Sequence, residues 1–421
     1  METMDITNKV LQFVEPLSVP NDGSQVRKMA LDALNGMDFP TTRVEDWKYT
    51  RTTRITNKNF KQFKPDVSRS IEEYQIDGVQ KHELVFVNGY WDQSASTILD
   101  DEGLTISTIN ELNENNYTSI LEDTEENVFS LINKAYATGG CFILWKKNKK
   151  ATYPVHIIHV LEGEETISNV RHFFQAEEGA MGEVICSFHS KNATNSFENT
   201  VLEGTVASNA KLTVQKLQLQ EHDCFQITNE VFVQDNNSNF EINTITTGGL
   251  LIRNGLSIIV DGENCHTELN GVYLGTENQH LDNHTFVDHL YSNCTSSETY
   301  KGVMNDKSNG VFNGKVIVRP NAQKIEAYQS NGNILLSETA QVNSKPELEI
   351  YADDVRCSHG STTGQLDEEA VFYLRARGLS KKSAKELLVI AFIGDVLDKI
   401  KNEAVRNYID QQLSDKFGWE F

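Results

Sequence analysis

Hydrophobic and polar positions divide the chain into three stretches of different period. Over residues 1 to about 65, apolar side chains recur at helical spacing, most clearly from Ser24 to Leu34, with Gly36 as the expected stop. HELVFVNGYW (82–91) alternates as a strand entering an Asn-Gly turn, and a further helical pattern runs around Asn127 to Ala137. CFILW (141–145) predicts a buried strand. These elements predict a small α/β region.

From about 150 to 355 the pattern changes to short β-favouring runs such as VHIIHVL, GEVICSF, FEINTITT and TELNGVYL. Gly, Asn, Asp and Ser turns separate them at intervals of roughly 10 to 15 residues. That spacing fits a sandwich, a barrel or a solenoid, and no strict repeat chooses among them. Helical spacing then returns. Asp367 predicts the start of a helix reaching Ala376, with Gly378 as its stop. Ser383 with Glu386 predicts a capping box for the next helix. Its stripe of Leu387, Leu388, Ala391, Val396, Leu397 and Ile400 is expected to pack on the β region.

Between the last two stretches lies Glu347 to Ser380, where strand gives way to helix. On a strand, residues i and i+2 share a face, so Cys357 and His359 project together and Ser358 faces away. Gly360 and Gly364 are expected to break the strand. A thiolate beside an imidazole suits zinc, copper or an iron–sulfur cluster. A closed tetrahedral site needs four ligands, however, and this stretch has two. The others come from distant residues or from another chain, unless the pair is only a buried cysteine beside a hydrogen-bonded histidine.

A second constellation, His280, Asp282, His284, Asp288 and His289, suggests zinc by its residue types. Residues 280, 282 and 284 share one strand face while 289 takes the other, and the spacing is not HExxH. Histidines hydrogen-bonded within the β region or at an interface are the preferred reading, with a metalloenzyme built on His280, His284 and a carboxylate as the alternative. Cys265 and His266 diverge on a strand. The stretch from Gly310 to Val316 approaches a P-loop but has one residue too few between its glycines and a valine where Mg²⁺ needs a hydroxyl, so no ATP hydrolysis is expected.

A net charge of −22 argues against a nucleic-acid or anionic-membrane surface. Six cysteines lie at 141, 186, 224, 265, 294 and 357 without a framework, which points to reduced thiols in a cytosol. METMDITNKV lacks the basic start and apolar run of a leader, and no run approaches the ~18 apolar residues of a membrane span. A soluble, cytoplasmic protein is expected.

The wording around Cys357 is more specific than its pattern. YADDVRCSHGSTTGQLDEEAVFYLRARGL (351–379) closely resembles the C-terminal signature of the SufB/SufD family, scaffold subunits of the SUF iron–sulfur cluster assembly machinery. HLDNHTFVDH (280–289), YKGVMND (300–306), GVFNGKVIV (310–318), AYQSNGNILLS (327–337) and KPELEIYADD (345–354) resemble its central region, and EDWKYT (45–50) its N-terminal tryptophan motif. Gly360, where the SufB branch has Glu, points to the SufD branch.

The resemblance implies a mainly β protein: a right-handed parallel β-helix core over 149–360, an N-terminal helical and α/β domain over 1–148, and a C-terminal helical domain over 361–421. It implies a non-enzymatic scaffold whose open β edge pairs with a SufB-like subunit, or with a second copy of itself when that partner is missing. His359 and Cys357 would be ligands of a transient iron–sulfur cluster shared across that interface, with no cofactor in the isolated chain. A SufC-like ABC ATPase would dock on the 366–400 region, with Leu366, Asp367, Phe372, Tyr373, Leu374, Arg375, Arg377 and Gly378 as the candidate contacts. A purely structural interaction protein, in which Cys357 and His359 only pack, is the remaining alternative.

Overall fold

A computed structural model describes residues 9–22, 24–65, 70–109 and 127–419; the first eight residues of the leader reading lie outside them. The β runs coil into a parallel β-solenoid of about eight turns, each turn giving one strand to each of two sheets. One sheet holds β1 (His82–Val87), β2 (Tyr90–Trp91), β5 (Val155–Glu164), β7 (Met181–Thr194), β9 (Lys211–Gln218), β11 (Asn239–Thr246), β13 (His266–Gly275), β15 (Thr295–Met304), β17 (Ile325–Leu335) and β19 (Val355–Gly364). Its strands stack in that order. The other holds β3 (Leu104–Thr108), β4 (Cys141–Trp145), β6 (Ile167–Ala176), β8 (Ser196–Val206), β10 (Cys224–Gln234), β12 (Leu251–Val260), β14 (His280–His289), β16 (Asn309–Val318) and β18 (Gln341–Ile350).

The predicted Asn-Gly turn joins β1 to β2, with Asn88 and Gly89 both at positive φ (50° and 83°). Strands β1 and β4, from the first 148 residues, pair in parallel with β5 and β6 and so begin the coil. The P-loop-like stretch lies inside β16, with Phe312 fully buried.

The repeat that sequence periodicity does not reveal is carried by the corners. Asn148, Gly179, Asn209, Asn237, Asn264, Asn293 and Lys324 all have positive φ, and successive members lie 27 to 31 residues apart. Each donates its backbone N–H to a carbonyl one turn further on, from Asn148 to Glu178 (2.8 Å) through Asn293 to Gln323 (2.9 Å). Asparagine and glycine tolerate the left-handed region best, which is why five of these seven corners are asparagine.

Between the sheets, stacked apolar side chains fill the coil from Leu84 to Ala352, including Phe174, Phe232, Tyr273 and Phe312. Large rings lie across small neighbours. A Cβ on Gly271 would sit 2.2 Å from the Tyr300 ring, and one on Gly302 would sit 2.5 Å from the Tyr273 ring. Since Gly271 pairs with Tyr300 and Gly302 with Tyr273, the two tyrosines fold over glycines of the adjoining strand. Gly271→Ala is expected to cost about 1–3 kcal/mol by overpacking. Chemical unfolding measures it; a loss below ~0.5 kcal/mol would mean Tyr300 moves freely.

Helices cover both outer faces. On the β4–β18 sheet, α1 (Lys9–Val14), α2 (Gln25–Leu34) and α4 (Val128–Tyr136) bury Phe13, Leu34 and Phe129 against Ile167, Phe197 and Leu251; α3 (Thr53–Thr56) adds Ile55. Ser24 caps α2 and Asn127 caps α4, each at the first residue of a helical stretch read from the sequence. On the opposite sheet lie α6 (Lys381–Leu397) and α7 (Glu403–Phe417), preceded by α5 (Glu368–Ala376). Val389, Ile393, Leu397 and Ile409 pack there on Leu217, Ile245, Val272 and Val303.

Three local expectations change. Gly360 does not break β19, because parallel pairing with β17 holds it opposite Ser330 and carries the strand to Gly364. The cap of α6 is Ser380, whose hydroxyl accepts from the Ser383 N–H (3.0 Å); Ser383 and Glu386 already lie inside the helix. The buried stripe of α6 is Ala384, Val389, Ile393, Val396 and Leu397, while Leu387 and Ala391 face outward. Val396, Leu397 and Ile400 of the predicted stripe are buried as expected, and α7 packs in the same apolar cluster as α6. Among the described residues, no helix is long and apolar enough to cross a membrane.

Candidate functional site: the uncovered end of the solenoid

The last turn of the coil, β18 and β19, has neighbours on one side only. β18 pairs with β16 and β19 with β17, and each is the terminal strand of its sheet. Their outer backbone N–H and C=O groups therefore form two adjacent ten-residue edges, a template for further strands. The apolar filling is also unfinished there. Leu348, Val342, Val355 and Cys357 pack on the core yet are only partly buried. Ile350 and Tyr351 stand exposed beside them.

On β19 the i, i+2 expectation holds. Cys357, opposite Ala327, turns towards the core, and His359, opposite Gln329, follows it on the same face. Arg356, between Val355 and Cys357, points outward and pairs with Glu326 at 3.2 Å. Burial raises the Cys357 thiol above its ordinary range, while a backbone hydrogen bond from Ala327 acts the other way. His359 is exposed, because no further turn covers it. The face offers one sulfur and one imidazole nitrogen, two donors at the rim of an open end. That donor set fits half of a four-ligand site and leaves the other half to whatever covers the end. Among the described residues, no group of three or more His, Cys, Asp or Glu side chains could hold a metal ion.

The His280 constellation is hydrogen-bonded inward. His280 is bonded through Nε2 to the Thr50 hydroxyl (2.7 Å) and through Nδ1 to Asn309 (3.0 Å), so neither nitrogen is open to a metal. Asp282 is fully buried against the Arg253 guanidinium, the Thr50 hydroxyl and His284 Nε2 (3.0 Å). His284 and Arg253 hold its carboxyl well below the usual carboxylate range against the opposing effect of burial. Asp288 is bound bidentately by Arg319, both contacts at 2.8 Å. His289 meets Ser296 at 3.0 Å. These side chains hold the rungs together.

Helix α5 carries the other candidate contacts, and Val371 is its only buried residue. Phe372 (72% exposed) and Tyr373 (55%) face outward, with the Arg377 guanidinium 4.5 Å over the Tyr373 ring. Arg375 and Gly378 are exposed; Gly378 takes φ +102° just beyond the helix end. Asp367 is the N-cap, its carboxylate accepting from the Glu369 N–H at 2.9 Å. Leu366 and Leu374 are half-buried, Leu366 against the α6–α7 cluster. The structure thus divides the eight residues: four side chains project outward, and Leu366, Asp367, Leu374 and Gly378 shape or seat the helix. Phe372 is the most exposed large hydrophobic side chain among the described residues.

Sequence reasoning does not single out Ile350, Tyr351 and Leu348, which rim the uncovered end. Their only signal is the near absence of apolar residues in VRCSHGSTTG, a strand with nothing to pack on its far side.

Comparison with known proteins agrees with this architecture. Residues 159–392, more than half of the chain, match the family described as SUF system FeS cluster assembly, SufBD core domain, and residues 19–157 match the SufBD protein N-terminal region. The chain is 29% identical to the iron-sulfur cluster assembly protein SufD of Escherichia coli, with 88% of each chain covered. It is equally identical, at 29%, to an iron-sulfur cluster assembly SufBD family protein of Synechocystis, over 92% of this chain and 90% of that one. A chloroplastic protein of Arabidopsis thaliana, ABCI7, is 33% identical over 57% of this chain and 51% of its own length. With both family regions matched in order across the solenoid and the N-terminal elements that cover it, the chain belongs to the SufBD family of the SUF iron–sulfur cluster assembly system.

Proposed function

We propose that this chain is a non-catalytic scaffold subunit whose terminal turn joins the end of a SufB-like solenoid, so that Cys357 and His359 become two of the donors to a nascent iron–sulfur cluster carried between the chains. The cluster is cargo, and the partner supplies the remaining ligands. One observation carries this reading: the two unpaired edges of β18 and β19 flank the only face on which Cys357 and His359 point together. A partner that continues both sheets would cover the partly buried Leu348 and Val342 and enclose the two donors in one step. Helix α5 is the companion surface, where Phe372, Tyr373 and Arg377 meet a SufC-like ATPase and Asp367 holds the helix N-terminus in place. Without its partner, the same edge pairs with a second copy of the chain.

Co-expression with SufB-like and SufC-like subunits tests both surfaces together. Leu348→Lys places an ammonium at the mouth of the coil, where it reaches water in the free chain but would be buried in the joined one. It is expected to abolish co-purification with the SufB-like subunit and to leave the ATPase bound. Phe372→Ser with Tyr373→Ser is expected to do the reverse. Loss of both partners in either variant, or of neither, would contradict the assignment of the two surfaces.

A further inference from the structure

We propose that the cavity between the EDWKYT segment and the outer face of β12, β14 and β16 is a binding site for a small phosphate-bearing molecule. Its volume is about 280 Å³, and Tyr49, Arg51, Arg54, His280, Lys307 and Asn309 are among the residues that line it. That size lies just below the ~300–1,000 Å³ typical of small-ligand sites.

The segment is pinned so that these residues face one space. Trp47 is buried, with the Arg253 guanidinium 4.0 Å over its ring. Three residues later, the Thr50 hydroxyl is tied to His280 and Asp282. Tyr49 lies between the two anchors and Arg51 just beyond the second, and a short helical turn brings Arg54 back to the same wall. Asn309 holds His280 from the other side at 3.0 Å. Two anchors therefore hold the wall in place, and Arg51 and Arg54 stand exposed on it.

Charge then distinguishes this cavity from its surroundings. The chain carries −22, and nearby cations are matched: Lys48 with Glu45 (3.9 Å), Lys345 with Glu45 (2.8 Å), Arg253 with Asp282. Arg51, Arg54 and Lys307 form no ion pair among the described residues. Two acids adjoin Lys307 and keep their charge, so the uncompensated positive charge of the cavity rests on Arg51 and Arg54. Asp306 accepts the Glu277 backbone N–H at 3.0 Å, and the Glu277 carboxylate faces His222 at 3.4 Å. Two guanidiniums on one concavity repel each other unless an anion sits between them, and a concave positive site concentrates anions. Guanidinium forks match phosphate oxygens in pairs, a geometry that lysine alone does not provide. Burial holds the His280 ring down to about 4, so near neutral pH it shapes the floor without adding charge. The partly exposed Tyr49 ring gives a face on which a planar group attached to the phosphate can lie.

Calorimetric titration of the full chain with pyrophosphate and with ADP, at constant ionic strength, tests the site. Both are expected to bind saturably at one site, ADP the more tightly. Arg51→Gln with Arg54→Gln is expected to weaken both by about tenfold or more. Its unfolding midpoint should match the parent, because both side chains are exposed. Tyr49→Ala is expected to remove the advantage of ADP and leave pyrophosphate unchanged. The proposal is overturned if neither probe binds saturably, if the double variant binds as well as the parent, or if citrate binds as tightly as pyrophosphate.

Discussion

Lys216→Met is expected to lower the unfolding free energy of the chain by about 3–5 kcal/mol, among the largest effects available to one substitution here. Lys216 on β9 reaches Glu230 on β10 through the interior of the coil, ammonium to carboxylate at 2.5 Å, with exposures of 1% and 0%. Asn254 also faces the ammonium at 3.3 Å and connects onward to Gln218 and Asn283 at 2.9 Å each. Removing the cation leaves a carboxylate buried with no opposite charge, which neighbouring amides cannot replace. Lys216→Met with Glu230→Leu removes both charges and keeps the volume, so it is expected to recover most of the loss. Urea unfolding of the two variants decides the matter. A single variant as stable as the parent would mean that water reaches Glu230 after all.

The second large effect falls on the cargo. In a co-expressed complex, His359→Ala is expected to lose most of the bound iron and sulfide, read as absorbance and metal content after anaerobic purification. His359 is exposed in the free chain, so the variant should fold and assemble normally. Cys357→Ala removes a partly buried side chain as well as a donor, and a loss there mixes packing with ligation. A His359→Ala complex with full iron and sulfide would leave this chain as a structural partner only. The isolated chain, with two donors on that face, is expected to retain no stoichiometric cluster in the same assay.

Much of the architecture was legible because local rules and tertiary demands coincide. Asp367 and Gly378 act at helix ends as their residue types predict, the helical patterns from Ser24 and Asn127 open where those residues cap, and Asn88-Gly89 makes the hairpin turn. The pairing of Cys357 with His359 on one face follows from strand geometry alone. The β runs were visible too, but their coiling was not. A parallel coil is specified by contacts between residues about 29 apart, such as His266 with Thr295, and each corner needs only a residue that tolerates positive φ. Asn209, Asn237, Asn264 and Asn293 were therefore a repeat hidden among ordinary turn asparagines.

By itself, then, the sequence determined the order of elements, the helix ends, the shared direction of Cys357 and His359, and, through its signature, the family. Only the tertiary structure decided which strand ends the coil, and so that His359 is bare while Asp282 is spent on Arg253 and His284. It alone set the face of α6 and brought Arg51, Arg54 and Lys307 to one cavity. The physical reason is range. Capping and strand alternation act over a few residues and leave a local pattern, whereas burial and charge matching depend on neighbours that only the coil brings together.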